Sequence, residues 1–184
     1  MGEIASRGQL RMTRLRWGIV IVPLVLLLGL ASGRLSGSGY GNPWFAALEK
    51  PAFTPPGWMF GVAWSFLYLL MGIALTIVLA ARGARTRRVA IAAFVVQLAL
   101  NLAWSPLFFA AHQIRAAFFL LLAIFVAAAV TAVLFRSVRP VACLLMLPYL
   151  AWLLFAGVLN FELMRRNANG PRLAPDGPST QISF

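Results

Sequence analysis

The sequence has few acidic residues, and its five longest apolar runs contain no charged residue at all. Of 184 residues, 16 are Lys or Arg, 4 are Asp or Glu, 61% are hydrophobic and 11% are charged. Soluble domains average about a quarter charged residues, so this composition indicates a membrane protein. A helix rises ~1.5 Å per residue, so each run can cross a ~30 Å hydrocarbon layer. The runs cover residues 17–33, 57–81, 89–111, 116–135 and 141–161.

The side chains that usually carry catalysis or bind metals are missing from these runs. Paired carboxylates, a His-backed nucleophile and Cys or His clusters are all absent there. The single cysteine, Cys143, excludes an intrachain disulfide. Glu162 and His112 lie at the ends of runs, and we interpret His112 as a turn residue rather than a haem ligand. We therefore predict no catalytic residue, no metal site and no required cofactor, and a proton-coupled pump is disfavoured.

The predicted fold is an all-α integral membrane protein, a five-helix transmembrane bundle with a long loop between the first two helices. Residues 1–16 form a basic N-terminal segment, 17–166 the transmembrane domain and 167–184 a flexible tail. A cleaved signal peptide ending near Gly33 is the alternative for the first run, although the run is long for one. The fourth run is polar only at Thr131, so we expect it to face lipid or an oligomer contact.

Basic residues lie between and beside the runs. Cytoplasmic loops collect Lys and Arg, so the larger basic group predicts a bacterial inner-membrane protein with its N-terminus inside; an outer membrane is the alternative. Contact with anionic lipid accounts for this charge, and nucleic acid is not expected as a partner. The inner group is Arg7, Arg11, Arg14, Arg16, Arg82, Arg85, Arg87, Arg88, Arg136 and Arg139. The outer group is Arg34, Lys50, Arg115, Arg165, Arg166 and Arg172.

The connection between the first two runs has its own helix signal. Asn42 is a typical N-cap and Pro43 a typical first helical residue. Apolar side chains follow on one face of a short helix, and prolines at 51, 55 and 56 end it. A long loop with an apolar helix is usually a lid or binding loop; an interfacial helix resting on lipid is the alternative. The predicted loop contacts are Trp44, Phe45, Lys50, Phe53 and Trp58.

Three runs carry polar or aromatic side chains at helical spacing, so that each set lies on one helix face. In a zigzag of antiparallel helices these faces converge on the outer half of the bundle, which predicts a pocket near the midplane beneath the loop. Such a surface suits a flat, largely apolar ligand whose edge is oriented by amides. The faces are Trp64, Tyr68, Met71 and Leu75; Gln97, Asn101, Trp104 and Ser105; and Tyr149, Trp152, Ala156 and Asn160.

Several segments resemble one family in order and spacing, from about residue 42 to 167. They are Lys50-Pro51, Pro55 to Phe60, Ala63 to Tyr68, Gln97 to Phe109, Pro148 to Trp152 and Leu159 to Phe161. The sequence thereby resembles the TspO/MBR family of tryptophan-rich sensory proteins, also called translocator proteins or peripheral-type benzodiazepine receptors.

The resemblance implies a five-helix bundle, often a homodimer, that binds protoporphyrin IX, haem and in some members sterols or drugs. It implies ligand contacts at Trp44, Trp64, Tyr68, Asn101, Trp152 and Ala156. The sequence departs from the family at Ala52 and Phe53, where loop tryptophans are expected, and at Phe161, where a proposed sterol motif has Tyr.

Three functional hypotheses follow. The first is a membrane receptor or carrier for porphyrins, linked to tetrapyrrole or stress regulation. The second is light- or oxygen-dependent breakdown of the bound porphyrin. The third is a structural or regulatory partner without a ligand, for which small residues at four-residue spacing support helix packing or a homodimer. These residues are Ala99 with Ala103 and Ala123 with Ala127.

Overall fold

The computed structural model describes residues 7–81 and 83–168, and all regular elements in those ranges are helical. Five helices are long and apolar enough to cross a membrane, which confirms the predicted all-α membrane fold with five spans. Residues 1–6, Arg82 and the predicted tail from 169 onward, including Arg172, lie outside the described residues, as do the side chains of Arg7 and Arg11. The helices are α1 (Arg7–Leu35), α2 (Pro43–Ala47), α3 (Gly57–Ala80), α4 (Arg87–Ser105), α5 (Ile114–Val138) and α6 (Pro140–Arg166), and a π-helical turn, Pro106–Ala110, follows α4.

Several helices continue past the apolar runs into charged sequence. α6 ends at Arg166, beyond the predicted end at 161, and its last turn carries Glu162 bonded to Arg165 at 3.0 Å and to Arg166 at 3.5 Å. Ion pairs at these spacings support a helix at the membrane surface. The apolar runs therefore mark the hydrocarbon layer, whereas the helical hydrogen bonds extend beyond it.

α1 and α3 pack antiparallel at very short range. A Cβ atom at Gly72 would lie 2.9 Å from the Cα of Val22, and one at Gly29 would overlap the Tyr68 ring. Small residues allow this approach, which is the usual basis of helix association where lipid replaces water. α1 thus lies directly against the helix face that carries Tyr68.

α5 is more buried than predicted. It packs against both α4 and α6, and one face of it is buried from Ile114 to Val138. α1 instead has the smallest buried share of the five spans. The expectation that the fourth run is the more lipid-exposed one is therefore wrong, because shape complementarity of small and aliphatic side chains buries a helix without polar residues. Its alternative, an oligomer contact, stays a prediction.

The other contacts order the bundle. α3 packs mainly against α1 and α6, and less against α4, its successor in the chain. Trp64 of α3 contacts Tyr149 and Trp152 of α6, while Trp104 of α4 donates to the Ala117 carbonyl of α5 at 3.1 Å. The predicted faces of α3 and α6 thus meet, whereas the Trp104 indole of the predicted α4 face bonds to α5.

The segment between α1 and α3 covers one end of the bundle. Asn42 caps α2 by accepting from the Phe45 amide at 3.2 Å, and its Nδ2 donates to the Phe109 carbonyl at 3.1 Å. The predicted cap is confirmed. The buried side of α2 packs on the π-helical turn and on the adjoining ends of α5 and α6.

Candidate functional site

A hydrogen-bonded chain of three side chains crosses the middle of the bundle. The Tyr68 hydroxyl donates to Oδ1 of Asn101 at 2.7 Å, and Nδ2 of Asn101 donates to the Tyr149 hydroxyl at 3.0 Å. The three residues come from α3, α4 and α6 and are 6%, 5% and 0% exposed. Because lipid offers no alternative partners, these bonds fix the rotation of three helices relative to one another.

Two indoles lie next to this chain, on the side nearer the end of the bundle that α2 covers. The Trp64 ring stacks on Tyr68 with centroids 5.3 Å apart, and its edge meets Trp152 at 6.3 Å. Trp152 also contacts Phe60 at 6.1 Å and Phe155 at 5.4 Å. Both indoles are half-buried. Trp64, Tyr68, Asn101, Tyr149 and Trp152 are called the aromatic–amide cluster below.

Two buried amides in the described chain have no hydrogen-bond partner for either polar atom. They are Gln97, which is 0% exposed, and Asn160, which is 2% exposed. Gln97 lies one helical turn inward of Asn101 on α4, and Asn160 lies one turn outward of Ala156 on α6. An unsatisfied buried amide costs about 1 to 3 kcal/mol, so each marks a place where a hydrogen-bonding group would be stabilised.

A second aromatic group joins α2 to the bundle. Trp44, 1% exposed, stacks on His112 with centroids 4.4 Å apart and meets the Phe108 edge at 5.5 Å. Trp104 stacks on Phe108 with ring centroids 4.9 Å apart. His112 has a φ of 55°, which reverses the chain between the π-helical turn and α5. These residues, with Phe45, are called the cover cluster.

Lys50, which follows α2, forms hydrogen bonds and a cation–π contact within the same segment. Lys50 donates to the carbonyl oxygens of Ala46 at 2.9 Å and Leu48 at 3.0 Å, and its ammonium lies 4.9 Å from the Phe45 ring centre. Partial burial lowers the pKa of Lys50. The side chain thus folds back on α2.

The C-terminal end of α6 holds the far side of α2. Asn167 makes a reciprocal pair with the Glu49 backbone, donating to its carbonyl and accepting from its amide, both at 2.9 Å. The Glu49 carboxylate lies 3.4 Å from Arg166. Arg166 therefore lies in an acidic environment and is partly neutralised.

The structure brings most of the predicted site residues into two connected groups. The five members of the aromatic–amide cluster meet as described; Trp44, Phe45 and Trp104 belong to the cover cluster. Ala156 packs against the core cluster that contains Tyr68 and Tyr149, and Asn160, one turn further along α6, is 2% exposed. Phe53 reaches the Phe155 ring at 6.4 Å. Trp58 is 67% exposed at the start of α3 and lies outside both groups.

Other contributors were not predicted from the pattern. Phe60, Phe155, Phe108 and Phe109 complete the ring contacts, and phenylalanine is too common in membrane helices to signal a site. Gly29 was the clearest missed signal, because it interrupts a leucine-rich run where α1 meets the Tyr68 ring. Among the described residues, no three His, Cys, Asp or Glu side chains are grouped so as to hold a metal ion.

Fold and site together define an integral membrane helical bundle whose polar interior is aromatic and amide in character. Residues 20–166 match the TspO/MBR family. The chain belongs to the TspO/MBR family, as the resemblance in its motifs indicated. Membership supports a membrane receptor or carrier role.

Relatives from distant organisms share most of the chain. It is 41% identical to the translocator protein of Homo sapiens over 142 residues, and this matched region covers 76% of this chain and 84% of the relative. It is 41% identical over 144 residues to the tryptophan-rich protein TspO of Archaeoglobus fulgidus, with 78% and 92% covered. It is 38% identical over 132 residues to protein CrtK of Rhodobacter capsulatus, with 67% and 78% covered.

Proposed function

We propose that the protein is a membrane receptor or carrier for a porphyrin, protoporphyrin IX or haem, or for a similar flat apolar molecule. In this proposal the ligand binds against the aromatic–amide cluster. Its binding by the protein takes part in tetrapyrrole or stress regulation. The observation that carries the proposal is the pair of half-buried indoles, Trp64 and Trp152, backed by the Tyr68–Asn101–Tyr149 chain. Aromatic faces suit a flat ring system, and the rigid polar chain holds them in position.

The surroundings of the cluster fit an amphipathic ligand. Asn160, two helical turns after Trp152 on α6, is a buried amide without a hydrogen-bond partner, and it can bind a polar edge of the ligand. Arg115 lies exposed at the start of α5, on the side of the bundle that α2 covers, and can attract a carboxylate. Arg165 and Arg166 attract such a carboxylate less, because both contact Glu162.

Titration of the purified full chain with protoporphyrin IX, followed by the porphyrin absorbance band, tests the proposal. We expect saturable binding that weakens at least about fivefold in the Trp64→Ala, Trp152→Ala double variant, since each aromatic contact contributes about 0.5 to 1.5 kcal/mol. Trp58→Ala is the matched control, because Trp58 lies on the same helix as Trp64 but is 67% exposed. Non-saturable binding, or equal weakening in both variants, would refute the proposal.

Breakdown of the bound porphyrin is the alternative, favoured by the proximity of two indoles at 6.3 Å. Product analysis of illuminated protein with porphyrin, compared with porphyrin in detergent alone, separates breakdown from binding. A ligand-free structural or regulatory role predicts no saturable titration in the first experiment.

We further propose a homodimer, and an inner-membrane orientation with the N-terminus inside. Ala99 and Ala103 are exposed at four-residue spacing on α4 and allow a second helix to approach closely. Cross-linking in native membranes tests the dimer. Accessibility of Cys143, near the start of α6, to impermeant thiol reagents from each side tests the orientation.

A further inference from the structure

The acidic residues of the described chain are confined to one end of the bundle. Glu49 and Glu162, the acidic residues within 7–81 and 83–168, both lie at the end covered by α2. At the opposite end α1, α4 and α6 begin and α3 and α5 end. All charged residues described at this end are basic. They are Arg14, Arg16, Arg85, Arg87, Arg88, Arg136 and Arg139.

The arginines of this basic end differ in whether they form hydrogen bonds or ion pairs with the rest of the protein. The Arg87 guanidinium donates to the carbonyl oxygens of Val78 at 3.2 Å and Leu79 at 2.8 Å, so it satisfies the C-terminal end of α3. Arg14 and Arg16 are exposed on α1, and every ion pair of the described chain involves Arg165 or Arg166 instead. Arg14 and Arg16 therefore present uncompensated charge.

Two shallow apolar grooves, lined only by residues of α1, run from these arginines toward the membrane interior. The larger, about 530 Å³, is lined by Arg14, Leu15, Gly18, Ile19, Val22 and Pro23. The smaller, about 340 Å³, is lined by Thr13, Arg16, Trp17 and Val20. Each groove thus joins a cationic end at the membrane surface to apolar walls at acyl-chain depth.

We propose that this face of α1 binds an anionic phospholipid, with its phosphate at Arg14 and Arg16 and an acyl chain in the adjoining groove. Basic residues at a membrane surface favour anionic lipid by ~1 kcal/mol each, which is about fivefold in relative affinity per arginine. A second copy of the chain fits this face less well. Two copies share one orientation in the membrane, so a symmetric contact would place the same arginines at the same depth, charge against charge.

Trp17 lies in the smaller groove and reports on it directly. The full chain is reconstituted in nanodiscs containing phosphatidylglycerol or phosphatidylcholine brominated on the acyl chains. The quenching of Trp17 is obtained by subtracting the fluorescence quenching measured in Trp17→Phe from that measured in the wild type. We expect half-maximal quenching at a mole fraction of brominated phosphatidylglycerol at least about fivefold lower than that of brominated phosphatidylcholine.

The preference should disappear in Arg14→Gln, Arg16→Gln and persist in the control Arg165→Gln, Arg166→Gln, which removes two arginines from the other end. If the first double variant does not fold, as judged by circular dichroism, the two single variants replace it and each should lose part of the preference. Equal quenching by the two lipids, or an unchanged preference without Arg14 and Arg16, overturns the proposal. Absence of quenching by either lipid also overturns it and indicates a protein contact on this face.

Discussion

Two amides one helical turn apart on α4 should respond with opposite sign to the same substitution. Asn101→Leu removes a side chain that accepts from Tyr68 at 2.7 Å and donates to Tyr149 at 3.0 Å. Gln97→Leu removes a side chain whose two polar atoms are buried without a partner. Leucine replaces each amide with a side chain of similar size, so the contrast isolates hydrogen bonding from packing.

The expected magnitudes follow from the contacts. Hydrogen bonds between membrane helices average ~0.6 kcal/mol and reach ~1.7, so loss of the two Asn101 bonds should lower the free energy of unfolding by about 1 to 3 kcal/mol. Tyr68→Phe and Tyr149→Phe each remove one bond and should cost about half as much. Gln97→Leu relieves the desolvation of an unpaired amide and should raise the free energy of unfolding by about 1 kcal/mol or more.

Equilibrium unfolding of the full chain in mixed micelles, monitored by far-ultraviolet circular dichroism against increasing dodecyl sulfate, measures these differences. Asn160→Leu is the matched test for the second unpartnered amide and should behave as Gln97→Leu does. If Gln97→Leu destabilises the protein as much as Asn101→Leu, the amide has partners in the folded protein and the reasoning fails.

Three further predictions concern packing, the cover and charge. Gly72→Ala should weaken the fold by about 1 to 3 kcal/mol in the same assay, because its Cβ would meet the Val22 backbone at 2.9 Å; Gly61→Ala, with open space, should not. Asn167→Ala should increase amide exchange around Glu49 by removing the reciprocal 2.9 Å pair, and unchanged exchange would contradict this. Lys50 is the only lysine; its ¹³C-methylated NMR signal should titrate below 10.5, since burial lowers its pKa. Stability should rise with pH between that lowered pKa and 10.5, where the unfolded chain retains a proton that the folded chain has lost.

The sequence predicts the membrane fold well because the signals are local and strong. Uninterrupted apolar runs identify the spans, and Asn42 followed by Pro43 identifies α2. The helical spacing of Trp64 with Tyr68 and of Tyr149 with Trp152 likewise places each pair on one face. What these patterns do not contain is the distance between helices, which depends on how closely two backbones approach.

That distance decides the burial of α5, for which the expectation of greater lipid exposure was wrong. A pattern of polar residues shows which side of a helix faces the polar interior of the bundle, but α5 has almost no polar residues. Its burial results from small residues such as Ala117 and Ala128, which fit against α4 and α6. Its sequence would look the same if that face met lipid, since lipid tails are as apolar as leucine. Hydrophobicity alone therefore cannot rank the spans by burial.

The same limit applies to hydrogen bonding inside the bundle, and it has a functional consequence. Gln97 and Asn101 lie on one face of α4 and are similar in chemistry, yet only Asn101 has partners. Residues four apart on a helix differ by about 40° in direction and ~6 Å in height, so pairing depends on small rotations of α3 and α6. A protein that tolerates an unpaired amide beside a fully bonded one carries a cost in stability, and such costs concentrate where a ligand or a moving element supplies the missing partner. The Gln97→Leu measurement with and without protoporphyrin IX therefore separates the two explanations: a stabilised variant with weaker porphyrin binding locates a ligand contact, and a stabilised variant with unchanged binding locates only strain.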